Sequence, residues 1–294
     1  MSDRLSDLTH DDGSSPLRIA SLHIYPVKSC AGITLDEALL ADTGLDRDRQ
    51  WMVVDAQGLF VSQRETPRMA LIQVSLKNGE AVLRAPGMLA LHLPLDAAED
   101  TVAVQLWDDR LNACSMGRTA DQWLSDFLGL PLRLVRFDPE QQRLSSRRWT
   151  GDLTAPNLFS DGYPILVTST ASLADLNRRL AERGQPAVTM ARFRPNLVLD
   201  GIDAYAEDHL DELQFDTPDG PVTLRLVKPC PRCPIPNTDP LTAERGDEPG
   251  LTLAGYRADA RLDGAITFGM NAVIVAGIDC RLKVGQKGRG TVRY

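Results

Sequence analysis

The sequence predicts a β-rich α+β fold, made of many short strands and a few helices. Short apolar or alternating segments recur along the chain and are separated by turn-forming residues. Only two longer segments, at residues 119–128 and 169–183, have the periodicity of amphipathic helices. Helices therefore do not alternate with strands often enough for a doubly wound parallel sheet, and the strand spacing favours a barrel or sandwich.

Closely spaced strand patterns fill the first part of the chain, with a hairpin where Gln57 and Gly58 separate two of them. The predicted strands cover residues 17–25, 51–55, 60–63, 71–76, 79–84, 89–93, 101–107 and 132–137. Thr119 is suited to capping the helix at 119–128, and Gly129 ends it.

The second part follows a polar, arginine-rich stretch at residues 138–156, which we interpret as a junction. Its predicted strands cover residues 165–168, 197–199, 213–215, 222–227 and 272–275. The helix at 169–183 is capped by Ser169 or Thr170 and stopped by Gly184. We divide the chain into a disordered tail (1–16), an N-terminal β-barrel region (17–137) and a second, barrel-like domain (138–290).

Composition restricts the classes of function. The formal net charge of −8 argues against a nucleic-acid or anionic-membrane surface. No apolar run is long enough for a membrane span, and the first residues have no signal-peptide pattern. Five cysteines without regular spacing indicate a reducing compartment. We therefore expect a cytoplasmic protein.

The most informative segment is KPCPRCPIPNTDP at residues 228–240. Prolines flank the Cys230-x-x-Cys233 pair, so we expect a stiff loop rather than a helix. Arg232 stands next to Cys233, and a neighbouring guanidinium lowers the pKa of a thiol. The thiolate form is both a nucleophile and a metal ligand. The segment therefore predicts an accessible cysteine sulfur that acts as a nucleophile or as a metal ligand.

Several uses of this sulfur do not fit the sequence. A structural zinc site needs four ligands, and no second cysteine pair or paired histidines accompany the motif. A thioredoxin-like pair opens a helix, which the prolines disfavour. The cysteine spacing of iron–sulfur proteins is absent. Two readings remain open: a thiolate that ligates a cofactor-borne metal, and a thiolate that carries a persulfide.

Four motifs in the same order resemble a MOSC-domain protein with its N-terminal β-barrel region, in the manner of the amidoxime-reducing components and the bacterial YcbX-like proteins. They are YPVKSCAG at residues 25–32, GLDRDRQW at 44–51, RFRPN at 192–196, and PCPRC with TDP at 229–233 and 238–240. The resemblance covers the chain from about residue 17 to about residue 287.

This resemblance implies the molybdenum cofactor (Mo-molybdopterin), a pterin dithiolene with a terminal phosphate that holds Mo. Cys233 matches the cysteine that ligates Mo in the family, and a soft thiolate suits such a metal. The positions that match cofactor contacts are Lys28, Ser29, Arg49, Arg194, Asn196, Arg232 and, near a further contact, Asn271. Arg194 and Asn196 match the phosphate end, where a guanidinium is a natural clamp.

Some positions depart from the family pattern. Asp161, Gly162 and Tyr163 stand where the animal proteins carry Asp-Thr-Ser, so the backbone N–H groups of Gly162 and Tyr163 are expected to replace the missing hydroxyl contacts. Pro231 replaces a serine beside the Arg-Cys pair. On family grounds Asp161 is a carboxylate of the active site, and with Cys233 it forms our predicted catalytic pair.

By resemblance, the chain reduces small N-hydroxylated compounds (amidoximes, hydroxylamines and N-hydroxylated bases). The C-terminal ferredoxin module of some bacterial relatives does not follow, so we expect electrons from a separate protein of reductase, ferredoxin or flavodoxin type. Some MOSC domains are fused to cysteine desulfurases, which makes a sulfur carrier with a Cys233 persulfide the alternative. Pyridoxal phosphate binding is a further association of the family.

Overall fold

The computed structural model describes residues 14–293 and is dominated by β-strands. The strands are β1 (Ser14–Ile24), β2 (Ile33–Leu35), β3 (Glu37–Ala41), β4 (Gly44–Leu45), β5 (Trp51–Asp55), β6 (Gln73–Lys77), β7 (Glu80–Arg84), β8 (Leu91–Pro94), β9 (Thr101–Leu106), β10 (Asp109–Ser115), β11 (Leu132–Phe137), β12 (Ile165–Ser169), β13 (Leu197–Asp200), β14 (Leu210–Thr217), β15 (Gly220–Pro231), β16 (Ala258–Asp259), β17 (Ala265–Ala276), β18 (Arg281–Lys283) and β19 (Lys287–Val292).

Helices are few and short in the described part of the chain. They are α1 (Arg118–Leu128), α2 (Arg147–Thr150), α3 (Thr170–Glu182) and α4 (Gly250–Ala254). The predicted β-rich α+β class is therefore confirmed. Within residues 14–293, none of the helices combines the length and the apolar composition that a membrane crossing requires.

Seven strands form a closed barrel in the order β12-β13-β1-β19-β14-β15-β17, and β17 pairs back onto β12 to close it. Only the β12–β13 contact is parallel; the other pairs in the ring are antiparallel. β1 belongs to this ring although it lies before the N-terminal sheets in the chain. Our division near residue 138 stays a prediction, and residues 1–13 of the expected tail lie outside the described residues.

The alternation of apolar residues in β1 explains how this strand fills the barrel core. Leu17 and Ile19 are buried two residues apart, and Leu22 and Ile24 are buried again two residues apart. The extra residue between the two pairs coincides with a register shift against β13, between Ile19 and Ser21. This β-bulge turns the side chains of Leu22 and Ile24 back toward the core, because one added residue reverses the face to which the following side chains point.

The N-terminal region builds its own core from two smaller sheets and α1. A four-stranded sheet has the order β5-β11-β10-β9, and a three-stranded sheet has the order β6-β7-β8. Trp51 and Met69 are almost completely buried in the core that α1 covers, with Trp123 and Phe127 of α1 packed against them. This region supplies loops that approach one end of the barrel.

Several sequence predictions are corrected. Helix α1 begins after Gly117, and Thr119 lies in its first turn without a capping bond. Residues 60–63 form no strand; only Phe60 makes a bridge, to Val54. Residues 14–16, expected in the tail, begin β1. Short strands such as β2, β3, β18 and β19 were missed because their glycines, charges and brevity give little periodicity.

The predicted stiff loop at residues 228–240 is partly wrong. Strand β15 continues through Pro231, with register shifts between Leu226 and Lys228 and between Pro229 and Pro231. A strand accommodates proline at bulges, because the missing N–H is not needed in the ladder there. Cys230 therefore lies at the end of a strand, and only the segment from Arg232 onward leaves the sheet.

Helix α3 is capped by Ser169, one of the two residues predicted for this role, and its hydroxyl accepts a hydrogen bond of 3.0 Å from the Ser172 backbone N–H. The hydroxyl of Ser172 donates in turn to Oε1 of Glu207, at 2.6 Å. Glu207 is fully buried, and its other carboxyl oxygen has no hydrogen-bond partner in the described structure. Burial raises the pKa of Glu207 above its usual 4.5.

This carboxyl predicts a loss of stability as pH rises. The folded protein keeps a proton that the unfolded chain releases at its lower pKa, so stability falls from the unfolded pKa upward until the folded pKa is passed. The free energy of unfolding falls by about 1.4 kcal/mol for each unit by which the folded pKa exceeds the unfolded pKa. We expect Glu207→Gln to remove this slope in denaturant unfolding measured from pH 4.5 to 8. The exposed control Glu244→Gln should keep it, and a wild-type slope in Glu207→Gln contradicts the assignment.

Candidate functional site

All of the residues that the sequence analysis proposes for the site line one cavity of about 170 Å³, where loops of the N-terminal region meet one end of the barrel. They are Lys28, Ser29, Arg49, Asp161, Gly162, Tyr163, Arg194, Asn196, Pro231, Arg232, Cys233 and Asn271. The structure thus brings together residues from widely separated parts of the chain. Their functional roles stay predictions.

Strand register explains this convergence. The loop after β1 and the segments before β12 and β13 lie at the same end of the barrel, and Lys228, residues 230–233 and Asn271 of β17 line the cavity with them. Residues directly opposite one another on neighbouring strands connect these segments around the barrel. The pairs are Leu22–Leu197, Leu197–Val167, Leu166–Asn271 and Asn271–Lys228. The turn between β4 and β5 adds Arg49 from the N-terminal side.

Three site residues other than glycine have left-handed backbone conformations. The φ angles of Ser29, Arg49 and Arg194 are 66°, 49° and 58°. Such conformations cost about 1–3 kcal/mol each and persist only where the surroundings impose them. The Gln63 amide bonds the Ser29 carbonyl at 2.7 Å, and the Arg49 N–H bonds the Tyr25 carbonyl at 3.0 Å. Strained backbone at three positions around one cavity is typical of a functional site.

Lys28 and Asp161 form an ion pair at the cavity wall. The Lys28 ammonium is buried and donates to Oδ1 of Asp161 at 2.5 Å and to the Phe159 carbonyl at 2.9 Å. Burial lowers the pKa of Lys28. The surrounding protein raises the pKa of Asp161, but the charge and hydrogen bond of Lys28 outweigh this effect, and the pKa lies below its usual 3.8. Asp161 is therefore a carboxylate at neutral pH.

Two guanidinium groups enclose the ring of Tyr25. The Arg49 and Arg194 side chains lie 4.3 and 4.2 Å from its centroid. Arg49 is paired with Asp48 at 2.6 Å. Arg194 donates to the Cys30 carbonyl at 2.6 Å and has no carboxylate partner within residues 14–293. Burial, followed by the charge of Arg49, lowers the pKa of Arg194 to about 10, so it stays charged at neutral pH.

Asn196 is engaged within the protein. Its amide oxygen accepts from the Leu166 N–H at 3.1 Å and from Arg49 at 3.2 Å, and its amide nitrogen donates to the His23 carbonyl at 3.2 Å. The side chain thus joins β1 and β12 and holds the Arg49 guanidinium. In contrast, the backbone N–H groups of Gly162 and Tyr163 have no acceptor among the described residues.

Arg232 contacts a different sulfur from the one that its position in the sequence suggests. It donates to Sγ of Cys230 at 3.2 Å and to the Phe193 carbonyl at 3.0 Å. Cys233 is a free, half-buried thiol on the cavity wall, and the described structure gives its sulfur no hydrogen-bond partner. Adjacency in the sequence pointed to Cys233, and only the folded structure shows that Cys230 is the sulfur that Arg232 contacts.

Two cations of the cavity were not assigned from the sequence. The Arg64 guanidinium lies 4.2 Å from the ring centroid of Trp107, and the Lys228 ammonium lies 5.6 Å from that of Tyr163. Lys228 belongs to the 228–240 segment, and its proximity to the cysteines was the available signal. Arg64 had no such signal, since it lies in an ordinary polar turn.

The cavity carries a large excess of positive charge. One carboxylate, that of Asp161, lines it, against six cationic side chains. These are Lys28, Arg49, Arg64, Arg194, Lys228 and Arg232. Among residues 14–293, no three His, Cys, Asp or Glu side chains are grouped so as to hold a metal ion by themselves. The cavity is therefore suited to a polyanion beside a free thiol.

Comparison with known proteins agrees with this architecture. Residues 16–131 match the MOSC N-terminal beta barrel domain, and residues 154–288 match the MOSC domain. The chain is 36% identical over 250 residues to human mitochondrial amidoxime-reducing component 1, covering 81% of this chain and 72% of that protein. It is 35% identical over 257 residues to human mitochondrial amidoxime reducing component 2, covering 81% and 72%.

A second kind of relative also matches. Bovine molybdenum cofactor sulfurase is 28% identical over 307 residues, which cover 97% of this chain and 34% of that protein. The two domain matches together span most of the chain, and both fall on the parts of the molecule that build the barrel and the cavity. The chain therefore belongs to the MOSC family, with a MOSC N-terminal beta barrel domain followed by a MOSC domain.

Proposed function

We propose that the chain is a molybdenum-cofactor-dependent oxidoreductase that reduces N-hydroxylated compounds: amidoximes, hydroxylamines and N-hydroxylated bases. Electrons come from a separate carrier protein of reductase, ferredoxin or flavodoxin type. The observation that carries the proposal is the free Cys233 thiol on the wall of a cavity with six cations and one carboxylate. The relatives named amidoxime-reducing components support the choice of reaction.

The residues present fit the molybdenum cofactor. Cys233 is a soft ligand with no competing partner among residues 14–293, and a soft thiolate suits a metal in a sulfur-rich sphere. The Arg194 guanidinium lacks a carboxylate partner in the described structure, and Nε of Arg232 is buried without a hydrogen-bond partner. Unpaired buried donors are costly, so a polyanion that reaches them stabilises the site.

When bound, the cofactor would supply two-electron redox chemistry at its metal. The chain supplies the rest. Cys233 would hold the metal, and Arg194 with Arg49 would hold the phosphate. Lys28 holds Asp161 as a carboxylate at the cavity wall. The backbone N–H groups of Gly162 and Tyr163, which have no acceptor among the described residues, would donate hydrogen bonds to cofactor oxygens in place of the family's hydroxyls.

A sulfur-carrier role is the second candidate. The match to molybdenum cofactor sulfurase covers nearly the whole chain and favours it. In that role Cys233 bears a persulfide and hands its sulfur to a metal centre. Mass spectrometry of the purified protein separates the two: a labile extra sulfur on Cys233 without Mo supports the carrier, and stoichiometric Mo and pterin support the reductase.

Cys233→Ala should remove Mo from protein purified from a cofactor-competent host, because it deletes the metal's protein ligand. We expect at least a tenfold fall in Mo per chain, measured by elemental analysis, with loss of amidoxime reduction by an artificial reductant. Cys230→Ala is the matched control and should retain Mo. Equal Mo contents in Cys233→Ala and wild type would contradict the assignment.

Arg194→Lys should weaken cofactor retention, since Lys lacks the fork that binds phosphate through two N–H groups. A charged hydrogen bond is worth about 1.5–3 kcal/mol, so we expect about tenfold lower affinity or more. Pterin content after dialysis measures it. Arg192→Lys is the control, because Arg192 is paired with Asp239 and lies off the cavity wall. Retained pterin in Arg194→Lys counts against the phosphate clamp.

A further inference from the structure

Lys228, like Arg64, is a cation of the cavity that neither the family motifs nor the cofactor requirements explain. It lies on β15 opposite Asn271 of β17, and its side chain lines the cavity. Its ammonium lies 5.7 Å from the ring centroid of Trp149 and 5.6 Å from that of Tyr163. Within residues 14–293 the ammonium group of Lys228 has no carboxylate partner and makes no hydrogen bond. Its three donors are therefore uncommitted.

Packing keeps this ammonium in place. Helix α2, which carries Trp149, contacts β15. Trp149 and Tyr163 pack on a small apolar cluster formed by Ala155, Val227 and Val273. Two aromatic faces hold a cation through their ring quadrupoles without neutralising it, whereas a carboxylate would form a salt bridge. Lys28 shows the other arrangement, since Asp161 binds it directly.

The charged and titratable neighbours of Lys228 make its proton easier to lose. Partial burial lowers the pKa of Lys228, and the charge of Arg148 on α2 lowers it further. Cys230, on the same strand, acts in the opposite direction with a smaller effect than burial. Tyr163, facing it from the segment before β12, has a pKa raised by burial to about 12 and stays neutral. Asn271 carries no charge.

The other charged side chains and the tyrosine on the cavity wall are poorly suited to giving up a proton. Asp161 is already ionised, and Tyr163 holds its proton. The proton donors of Lys28 are committed to Asp161 and to the Phe159 carbonyl. Arginine does not release protons at working pH. No histidine is among the described residues that line the cavity.

The proposed reaction consumes two protons for each N–O bond that is broken: R–NH–OH + 2 e⁻ + 2 H⁺ gives R–NH₂ + H₂O. We propose that Lys228 is the proton donor for the leaving oxygen, positioned by Trp149 and Tyr163. The reduced carrier protein supplies both electrons. The N–O bond breaks, a proton from Nζ of Lys228 completes water on the oxygen, and a solvent proton forms the new N–H bond. Lys228 then takes a proton from solvent. This inference rests on the proposed function.

The kinetic test compares Lys228→Arg and Lys228→Met in the full-length protein, with an aryl amidoxime and an artificial reductant. Arginine keeps the charge but cannot release the proton, so we expect kcat to fall about 100-fold in both variants, as for loss of a general acid. The wild-type rate should fall at high pH through the pKa of Lys228, and Lys228→Arg should lack this limb. Lys287→Met, at an exposed position on β19, should behave as wild type.

A second measurement does not depend on activity. Lysine amines are acylated across a pH series, and peptide mass spectrometry then measures the extent of acylation at each lysine. The result is the pH midpoint at which each amine loses its proton. The midpoint of Lys228 should lie below that of exposed Lys287. Equal midpoints would overturn the proposal, as would wild-type kcat and pH profile in Lys228→Arg.

The molybdenum content of each variant keeps the two proposals distinguishable. Mo equal to wild type with reduced kcat supports Lys228 as proton donor. Loss of Mo in Lys228→Arg overturns it, because Lys228 would then hold the cofactor. Wild-type protein that contains no Mo and reduces no amidoxime overturns the proposed function itself, whereas active wild type with an equally active Lys228→Arg overturns only the role of Lys228.

Discussion

The closure of the barrel through β12 is the constraint on which the site depends. This strand pairs in parallel with β13 on one side and antiparallel with β17 on the other. The parallel contact puts the segments before β12 and β13 at the same end, and antiparallel pairing with β13 brings the end of β1 there. On the other side of β12, pairing through Asn271 of β17 places Lys228 of β15 level with Leu166, near the start of β12. Loops that are distant in the chain therefore face one another across a single cavity. A one-residue slip in β12 would turn its side chains to the opposite face.

Unbalanced charge is the second organising feature. The protein is acidic as a whole, yet several cations of its cavity, namely Arg194, Arg232 and Lys228, contact carbonyl groups, a sulfur and aromatic rings rather than carboxylates. Arg194 keeps its charge although burial lowers its pKa, and Arg49 next to it adds repulsion. This repulsion and the left-handed backbone at Ser29 and Arg49 both destabilise the folded state locally, and the packing of the two cores must compensate for them. A bound polyanion relieves both the repulsion and the unmet hydrogen bonds.

The degree to which the sequence anticipated the site depends on the kind of contact. The twelve proposed residues were assigned from short motifs such as RFRPN, whose residue types can be recognised directly in the sequence. All twelve line one cavity. The partner of Arg232 was not anticipated: adjacency suggested Cys233, and the structure gives Cys230. Lys228 and Arg64 were missed as well, because their importance comes from aromatic neighbours that are far away in sequence. The strand through Pro231 was missed because proline has low strand propensity, and only bulged pairing with β17 accommodates it.

The amino-acid sequence by itself determined the β-rich class, a hydroxyl cap at the start of α3 and the cysteine motif. These follow from local periodicity, local hydrogen bonding and residue identity, which are all present within a few neighbouring residues. Only the tertiary structure decided that β1 completes the barrel and which sulfur Arg232 contacts. It also decided that the Lys228 ammonium lies beside two aromatic rings. The reason is physical: pairing partners, burial and the balance of charge around a group arise from residues that the fold brings together, and no short stretch of sequence contains them.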